Sequence, residues 1–85
     1  MPKFKIHIFE EVRQSYIVEG NSMQEAVNHL ISNLDNYSAV EAEFTGDYSN
    51  DVCVDPLFED GTPDLNNYQW LKLSGEVSPN LSANG

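Results

Sequence analysis

The chain has 85 residues, of which 40% are hydrophobic and 11% are aromatic. This is enough apolar material for one small core, and it argues against a wholly disordered chain. Its 14 acidic residues outnumber the 4 basic ones and give a net charge of −10, which disfavours nucleic acids and anionic membranes as direct partners and favours a basic protein surface.

The cysteine content and the N-terminal sequence indicate the cellular compartment in which the protein is expected. The only cysteine, Cys53, cannot form an intramolecular disulfide, which is typical of a protein in a reducing environment. No stretch approaches the ~18 consecutive apolar residues of a membrane span, and residues 1–12 lack the apolar centre of a signal peptide. We therefore expect a cytoplasmic protein.

The N-terminal part of the chain alternates between apolar and polar side chains in residues 3–9 and again in residues 15–19. This period of two is typical of half-buried strands. The polar stretch between the two segments contains neither Gly nor Pro, so it predicts a loose turn. Together the two segments predict a β-hairpin.

Helical signals follow the hairpin. Ser22 precedes Glu25 by three residues, the spacing of a capping box in which each side chain bonds the backbone amide of the other residue. Apolar residues then recur with the 3.6-residue period of a helix, which predicts a helix from Met23 to Leu34. The pair Asp35-Asn36 tolerates turn conformations and is expected to end the helix.

Three further strands are predicted in the second half of the chain, in residues 37–45, 51–55 and 68–73. The loop of residues 56–67 between the last two is broken by two prolines and a glycine. The order β-β-α-β-β-β indicates an α+β fold of two layers, an antiparallel sheet of four or five strands with one helix packed on one face.

The alternation assigns the strand residues to two sheet faces within a single domain of residues 1–75, and the polar residues 76–85 predict a disordered tail. The face under the helix is expected to carry the core residues Phe4, Ile6, Ile8, Tyr16, Val18, Val40, Ala42, Phe44, Val52, Val54, Leu71 and Leu73. The opposite face is expected to be open and to carry Lys5, His7, Phe9, Ile17, Glu19, Glu41, Glu43, Cys53, Tyr68 and Trp70.

Few residues suit catalysis or metal binding. Cys53 lies between two valines, where no neighbour in the sequence lowers the pKa of a thiol, and His7 and His29 are expected to be plain surface residues. No nucleophile-elbow or phosphate-binding motif occurs, and the Cys and His residues are too few and scattered for zinc. The sequence therefore predicts a protein that is not an enzyme and that has no cofactor or resident metal.

The segment of residues 41–64 concentrates eight acidic residues and contains no basic one. Because like charges repel, concentrating acids in one segment lowers stability. This cost favours a function that uses the concentrated negative charge. Glu41 and Glu43 lie two apart on a predicted strand, so about 6.7 Å separates them on one face, comparable with neighbouring phosphates of a nucleic-acid strand. Aromatic side chains often anchor interfaces. The residues predicted to bind a partner are Glu41, Glu43, Asp47, Asp51, Asp55, Glu59, Asp60, Asp64, Tyr68 and Trp70.

Residues 3–31 resemble the start of the small DpnD/PcfM-like proteins, in which a strand ending in Val-Glu-Ala precedes a serine-capped helix. Gly20 stands where that family usually has alanine, and the matching residues are Val18, Glu19, Ser22, Glu25 and Ala26. The family has no settled activity, so the resemblance implies no site residues. In size, acidity and helix-on-sheet plan the chain also resembles phage-encoded inhibitors of bacterial defence, notably anti-CRISPR proteins.

Three functions remain open from the sequence. The leading hypothesis is a non-catalytic DNA mimic, an inhibitor that occupies a positively charged nucleic-acid-binding site on a CRISPR-Cas or other defence protein. The alternative is an accessory interaction module, able to form a homodimer through the open sheet face, whose acidity only keeps it soluble. The third is a weak calcium-binding protein with a site formed by Asp47, Asn50 and Asp51, or by Glu59, Asp60 and Asp64.

Overall fold

A computed structural model describes residues 1–72 and confirms an α+β fold with one helix and an antiparallel sheet. The elements are β1 (Lys3–Glu19), α1 (Met23–Ser32), a 3-10 turn (Leu34–Asn36), β2 (Glu41–Tyr48), β3 (Asp51–Pro56) and β4 (Gln69–Lys72). The four strands of the sheet follow the order β2-β1-β3-β4. Within these residues no helix has the length and apolar character needed to cross a bilayer. Leu73 and the tail predicted for residues 76–85 lie outside the described residues.

Strand β1 folds back on itself. At about 3.3 Å per residue a straight strand of its length would measure roughly 56 Å, yet the longest dimension of the molecule is 34 Å. The Gly20 amide donates to the Pro2 carbonyl at 3.1 Å, and His7 Nδ1 lies 2.7 Å from Ser15 Oγ. Both contacts join residues equally distant from Glu11, whose φ is 69°. The predicted hairpin is therefore present, as a first arm (residues 3–10) and a second arm (residues 12–19) of one strand.

The two arms of β1 occupy the centre of the sheet. The first arm pairs with β3, where His7 lies opposite Cys53, and the second arm pairs with β2, where Gln14 lies opposite Ala42. Strand β4 pairs with the other side of β3, where Cys53 lies opposite Trp70. As a result, β2 and β4 are the two edges of the sheet.

Helix α1 begins at the predicted residue and ends two residues earlier than predicted. Ser22 caps its N-terminus, because the serine Oγ accepts the Glu25 amide at 3.1 Å. Asn33 has left the helical conformation, with φ −131° and ψ 30°. Its side chain donates to the His29 carbonyl at 3.0 Å, and the same carbonyl accepts the Asn33 backbone amide at 3.1 Å, so both groups of Asn33 bond the last turn where the helix ends.

The core lies between α1 and one face of the sheet. Its strand residues all belong to the face that the alternation predicts, and α1 adds three residues from its apolar stripe. Burial of this apolar surface is the main stabilising contribution. The core consists of Phe4, Ile6, Ile8, Tyr16, Val18, Ala26, Val27, Leu30, Val52, Val54 and Leu71.

The prediction that Val40, Ala42 and Phe44 join the core is wrong. All three are exposed, Val40 to 57% and Phe44 to 70%. The reason is that β2 is an edge strand, whereas α1 packs against β1. A helix of this length extends only about 15 Å, so it covers the centre of the sheet and, in the part of the chain that the structure describes, leaves β2 without a second layer. Ile31 and Leu34, predicted on the apolar stripe, are likewise 37% and 40% exposed.

Gly20 joins β1 to α1 at a point where the backbone of the helix comes very close. A Cβ atom at this position would lie 2.9 Å from the backbone nitrogen of Ala26. We expect Gly20→Ala to lower the free energy of unfolding by about 1–3 kcal/mol, the usual cost of forcing extra atoms into a packed site. Chemical denaturation measures this loss. Asn28→Ala, on the exposed side of α1, is the control and should change stability by less than about 0.5 kcal/mol. Equal midpoints for the two variants would contradict the close approach.

Candidate functional site

The acidic residues of β2 are paired with bases on β1. Lys5 Nζ contacts Glu41 Oε1, and Arg13 Nη2 donates to Glu43 Oε2 at 3.0 Å. The hydrogen bond and the charge of Lys5 lower the pKa of Glu41 below its ordinary value. The two carboxylates that most resembled a pair of phosphates in the sequence are therefore partly neutralised by the protein itself.

Two of the predicted binding residues are buried in β3. Asp51 is 9% exposed and lies opposite Lys72, and Asp55 is 5% exposed and accepts a hydrogen bond from His7. The expectation that these carboxylates form part of an accessible acidic row is wrong. Their strand lies inside the sheet, between β1 and β4, and not in an exposed turn or loop.

The remaining acidic residues separate to opposite ends of the sheet. The Ser49 amide, next to the β2–β3 turn, bonds the Phe9 carbonyl, whereas the Leu57 amide, at the start of the long loop, bonds the Lys3 carbonyl. Six residues of a strand span about 20 Å, so Asp47 lies far from the loop. The loop contains Glu59, Asp60 and Asp64.

Two of the loop acids hold the loop in shape. Asp60 Oδ1 accepts from the backbone and the hydroxyl of Thr62, at 3.0 and 2.6 Å, and these bonds lower the pKa of Asp60. Asp64 accepts from the Asn66 amide at 3.2 Å and from the Asn67 side chain at 2.7 Å. Such bonds are typical of Asp in turns, so these two residues contribute to local structure as well as to charge.

Three exposed acids meet where β1 turns, and we call Glu10, Glu11 and Asp47 the acidic corner. Glu11 lies opposite Asp47, and Glu10 lies opposite Tyr48. Within residues 1–72 none of the three carboxylates takes part in an ion pair. The Tyr48 hydroxyl donates to Glu11 Oε2 at 2.5 Å, and this bond raises the pKa of Tyr48. Glu10 and Glu11 are not among the residues that the sequence predicts to bind a partner. Their position opposite Asp47 depends on strand pairing, which the sequence alone did not predict.

His7 is the centre of a hydrogen-bonded network. Nδ1 lies 2.7 Å from Ser15 Oγ and Nε2 lies 2.8 Å from Asp55 Oδ2. The expectation of a plain surface histidine is wrong, because only 12% of the side chain is exposed. The arrangement contains the residue types of a Ser-His-Asp triad, but Ser15 is fully buried and cannot meet a substrate. The network therefore ties the two arms of β1 to β3.

A shallow groove of about 410 Å³ lies on the open face of the sheet. Phe9 and Trp70 stack along it with ring centroids 5.4 Å apart, and Tyr68, which is 52% exposed, also lines it. Tyr68 and Trp70 are thus near each other, as the prediction of aromatic anchors requires. Cys53 lies in the same groove, where burial and the nearby Asp55 charge raise the pKa of its thiol to about 11. Such a thiol is almost entirely protonated at neutral pH and is a poor nucleophile.

The structure also bears on metal binding. Across residues 1–72 it gathers no group of three or more His, Cys, Asp or Glu side chains suited to hold a metal ion. Of the two sets considered for calcium, one includes Asp51, which is buried in β3, and the other includes Asp60 and Asp64, each of which bonds its own part of the loop. The geometry gives the calcium hypothesis no support.

No family model matches the sequence, and neither the curated proteins nor the solved structures include a significant match to it. The resemblance to the DpnD/PcfM-like proteins stays a prediction. Gly20, where the chain departs from that pattern, is also where an alanine Cβ would meet the backbone of Ala26. The features that bear on function are therefore the acidic corner, the β2 edge and the groove.

Removing Asp55 tests whether the His7 network stabilises the sheet. We expect Asp55→Ala to cost about 1–3 kcal/mol in the free energy of unfolding, because His7 then loses a buried partner. Asp47→Ala removes the same charge from an exposed site and should change stability by less than about 0.5 kcal/mol. Urea denaturation of the two variants compares them directly. Equal stability would show that the network contributes nothing.

The contact between Lys5 and Glu41 is tested by titration. Because Lys5 lowers the pKa of Glu41, the favourable interaction is present above the ordinary glutamate pKa and is lost as the pH falls through the lowered value. In Lys5→Gln the pKa of Glu41 should rise towards its ordinary value, as followed by carboxyl carbon chemical shifts in NMR spectra. Lys3→Gln is the matched control. A Glu41 pKa that is the same in all three proteins would mean that the charge of Lys5 does not reach Glu41.

Proposed function

We propose that this protein is a non-catalytic acidic inhibitor that binds a positively charged, nucleic-acid-binding surface of a larger protein. The observation that carries the proposal is the acidic corner, where three carboxylates that form no ion pair within residues 1–72 lie on the exposed end of the sheet. Bases in a nucleic-acid-binding groove offer the counter-charges that the corner lacks.

Exposed aromatic residues beside the acidic corner support a protein partner. Tyr48 is 71% exposed and Phe44 is 70% exposed, and both belong to β2, the strand that carries Asp47. Aromatic residues ringed by charge are typical of protein-binding surfaces, because the ring supplies buried apolar area and the charges supply specificity. A purely solubilising surface does not require large exposed aromatic residues beside its acids.

The charge balance supports a partner that normally binds phosphates. Three of the sheet's cationic or potentially cationic side chains, Lys5, His7 and Arg13, contact acids of this same chain. Much of the negative charge that these contacts leave unpaired lies at the ends of the sheet, at the acidic corner and in the long loop. We propose a CRISPR-Cas effector or another defence protein as the target, with these carboxylates occupying phosphate positions in its groove.

The proposal is tested by displacement of nucleic acid. Purified CRISPR-Cas effectors and other defence proteins are loaded with a fluorescent DNA or RNA, and the bound fraction is followed by anisotropy as the protein is added. We expect the wild type to displace nucleic acid from its target. Glu10→Gln/Glu11→Gln/Asp47→Asn should inhibit at least about fivefold less well, because three exposed charges contribute on the order of 1–3 kcal/mol together. The loss should shrink as salt is added.

A charge-matched variant is the control. Glu19→Gln/Glu25→Gln/Asp35→Asn removes the same charge from exposed residues outside the acidic corner and should inhibit like the wild type. Equal loss in both variants would show that only net charge matters. Failure of the wild type to displace nucleic acid from any tested protein would contradict the proposed function.

The accessory-module alternative draws on the open-face groove, because stacked Phe9 and Trp70 rings beside Tyr68 also suit the seam of a homodimer. Sedimentation velocity at low micromolar concentration separates the two functions. A dimer that Trp70→Ala abolishes would favour the accessory module, and a monomer would favour the inhibitor.

A further inference from the structure

We propose that the outer edge of β2, along residues 41–45, adds one extended segment of the partner to the sheet, and that this segment alternates basic and apolar side chains. The proposal deepens the proposed function and rests on it for the basic character of the partner. It assigns a binding mode in which backbone hydrogen bonds provide affinity and side-chain alternation provides specificity.

The edge is accessible in the structure. β2 is the outermost strand of the sheet and bonds only β1 among the described strands. Seven of its eight residues are exposed, and only Thr45 is half-buried. A strand at the edge of a sheet presents unpaired amide and carbonyl groups along its free side, which are a template for another strand.

The two faces of β2 carry different chemistries. Glu41 and Glu43 lie opposite Ser15 and Arg13, on the open face of the sheet. Ala42 and Phe44 point to the helix side, where Phe44 lies opposite Val12 and no second layer formed by residues 1–72 covers them. An added strand with a period of two would therefore place every other side chain beside a carboxylate and the remaining ones beside exposed apolar groups.

Charge selects the occupant. A second copy of this chain would place Glu41 and Glu43 of each copy beside the other's, between two chains of net charge −10 each. A basic segment would instead be attracted to Glu41 and Glu43. Glu41 and Glu43 already bind Lys5 and Arg13 on their inner side, yet their side chains are 47% and 65% exposed. A carboxylate has lone pairs for a second cationic donor.

The backbone limits the length of the pairing. Gly46 has φ 77°, in the left-handed region, and the pairing of β1 with β2 shifts register between Glu11 and Val12. Such irregularities bend a strand and interrupt the regular edge. The straight part of the edge is therefore the stretch from Glu41 to Thr45, and the acidic corner lies just beyond it. The corner is placed to attract further bases of the same partner.

The test uses synthetic peptides with the intact protein. The probe is a short peptide in which lysine and valine alternate, and backbone amide shifts of the isotope-labelled protein are followed by NMR during titration. We expect saturable shifts concentrated in residues 41–45. A peptide of the same composition with its lysines and valines in separate blocks, and an alternating peptide with N-methyl groups on every second amide, should each bind at least about tenfold more weakly.

A variant of the protein separates pairing from simple attraction. Phe44→Thr keeps a strand-forming residue at an exposed position, so the unfolding midpoint should not change. The substitution should weaken binding of the alternating peptide several-fold and leave binding of the block peptide unchanged. Equal binding of the alternating and block peptides, shifts confined to the open-face groove, or self-association through residues 41–45 would each overturn the proposal.

Failure of the edge and failure of the proposed function are distinguishable. Displacement of nucleic acid that depends on the acidic corner but not on Phe44 would uphold the function and overturn strand addition. Peptide pairing along residues 41–45 without displacement from any defence protein would uphold the edge as a binding site and overturn the proposed target.

Discussion

The pairing of the two arms of β1 about Glu11 is the constraint on which the rest of the sheet depends. It aligns the apolar residues of both arms on the face that α1 covers. It also leaves the first arm free to pair with β3 and the second arm free to pair with β2. A slip of one residue would move those side chains to the opposite face. The hydrogen bonds of His7 with Ser15 and Asp55 oppose such a slip, because they connect both arms of β1 to β3. A slip would leave these polar side chains without partners in a low-dielectric site.

The same pairing decides where the negative charge is available. Lys5 lies on the first arm of β1 and Arg13 on the second, both on the open face, and they contact Glu41 and Glu43 of β2. Cross-strand pairs of opposite charge stabilise a sheet modestly, so these glutamates help to hold an edge strand that has no helix above it. The surplus carboxylates lie instead at the turns and in the loop, where water solvates them and a partner can approach.

An edge strand with no second layer is a hazard for an isolated protein, because its free amides and carbonyls pair readily with other strands. Acidic side chains on β2 oppose self-pairing, just as lysines do on the edges of many other proteins. The apolar residues on the other face of β2 contribute almost nothing to the core, as the exposure of Phe44 shows. Acids that repel a second copy and apolar groups that remain unburied together suit a basic partner with an extended segment.

Periodicity in the sequence was sufficient for local structure and for the side of the sheet to which most residues point. The capped helix, the alternation in β1 and β3, and the burial of Ile6, Val18 and Val54 follow from local patterns and from the preference of apolar groups for a shared core. Pairing partners were decided only by the tertiary structure. Alternation shows which face a residue occupies and does not show which strand lies beside it or how far the helix reaches. For that reason Phe44 proved to be exposed, Asp55 proved to be buried against His7, and Glu11 came to lie beside Asp47 across a strand pair that no local pattern specifies.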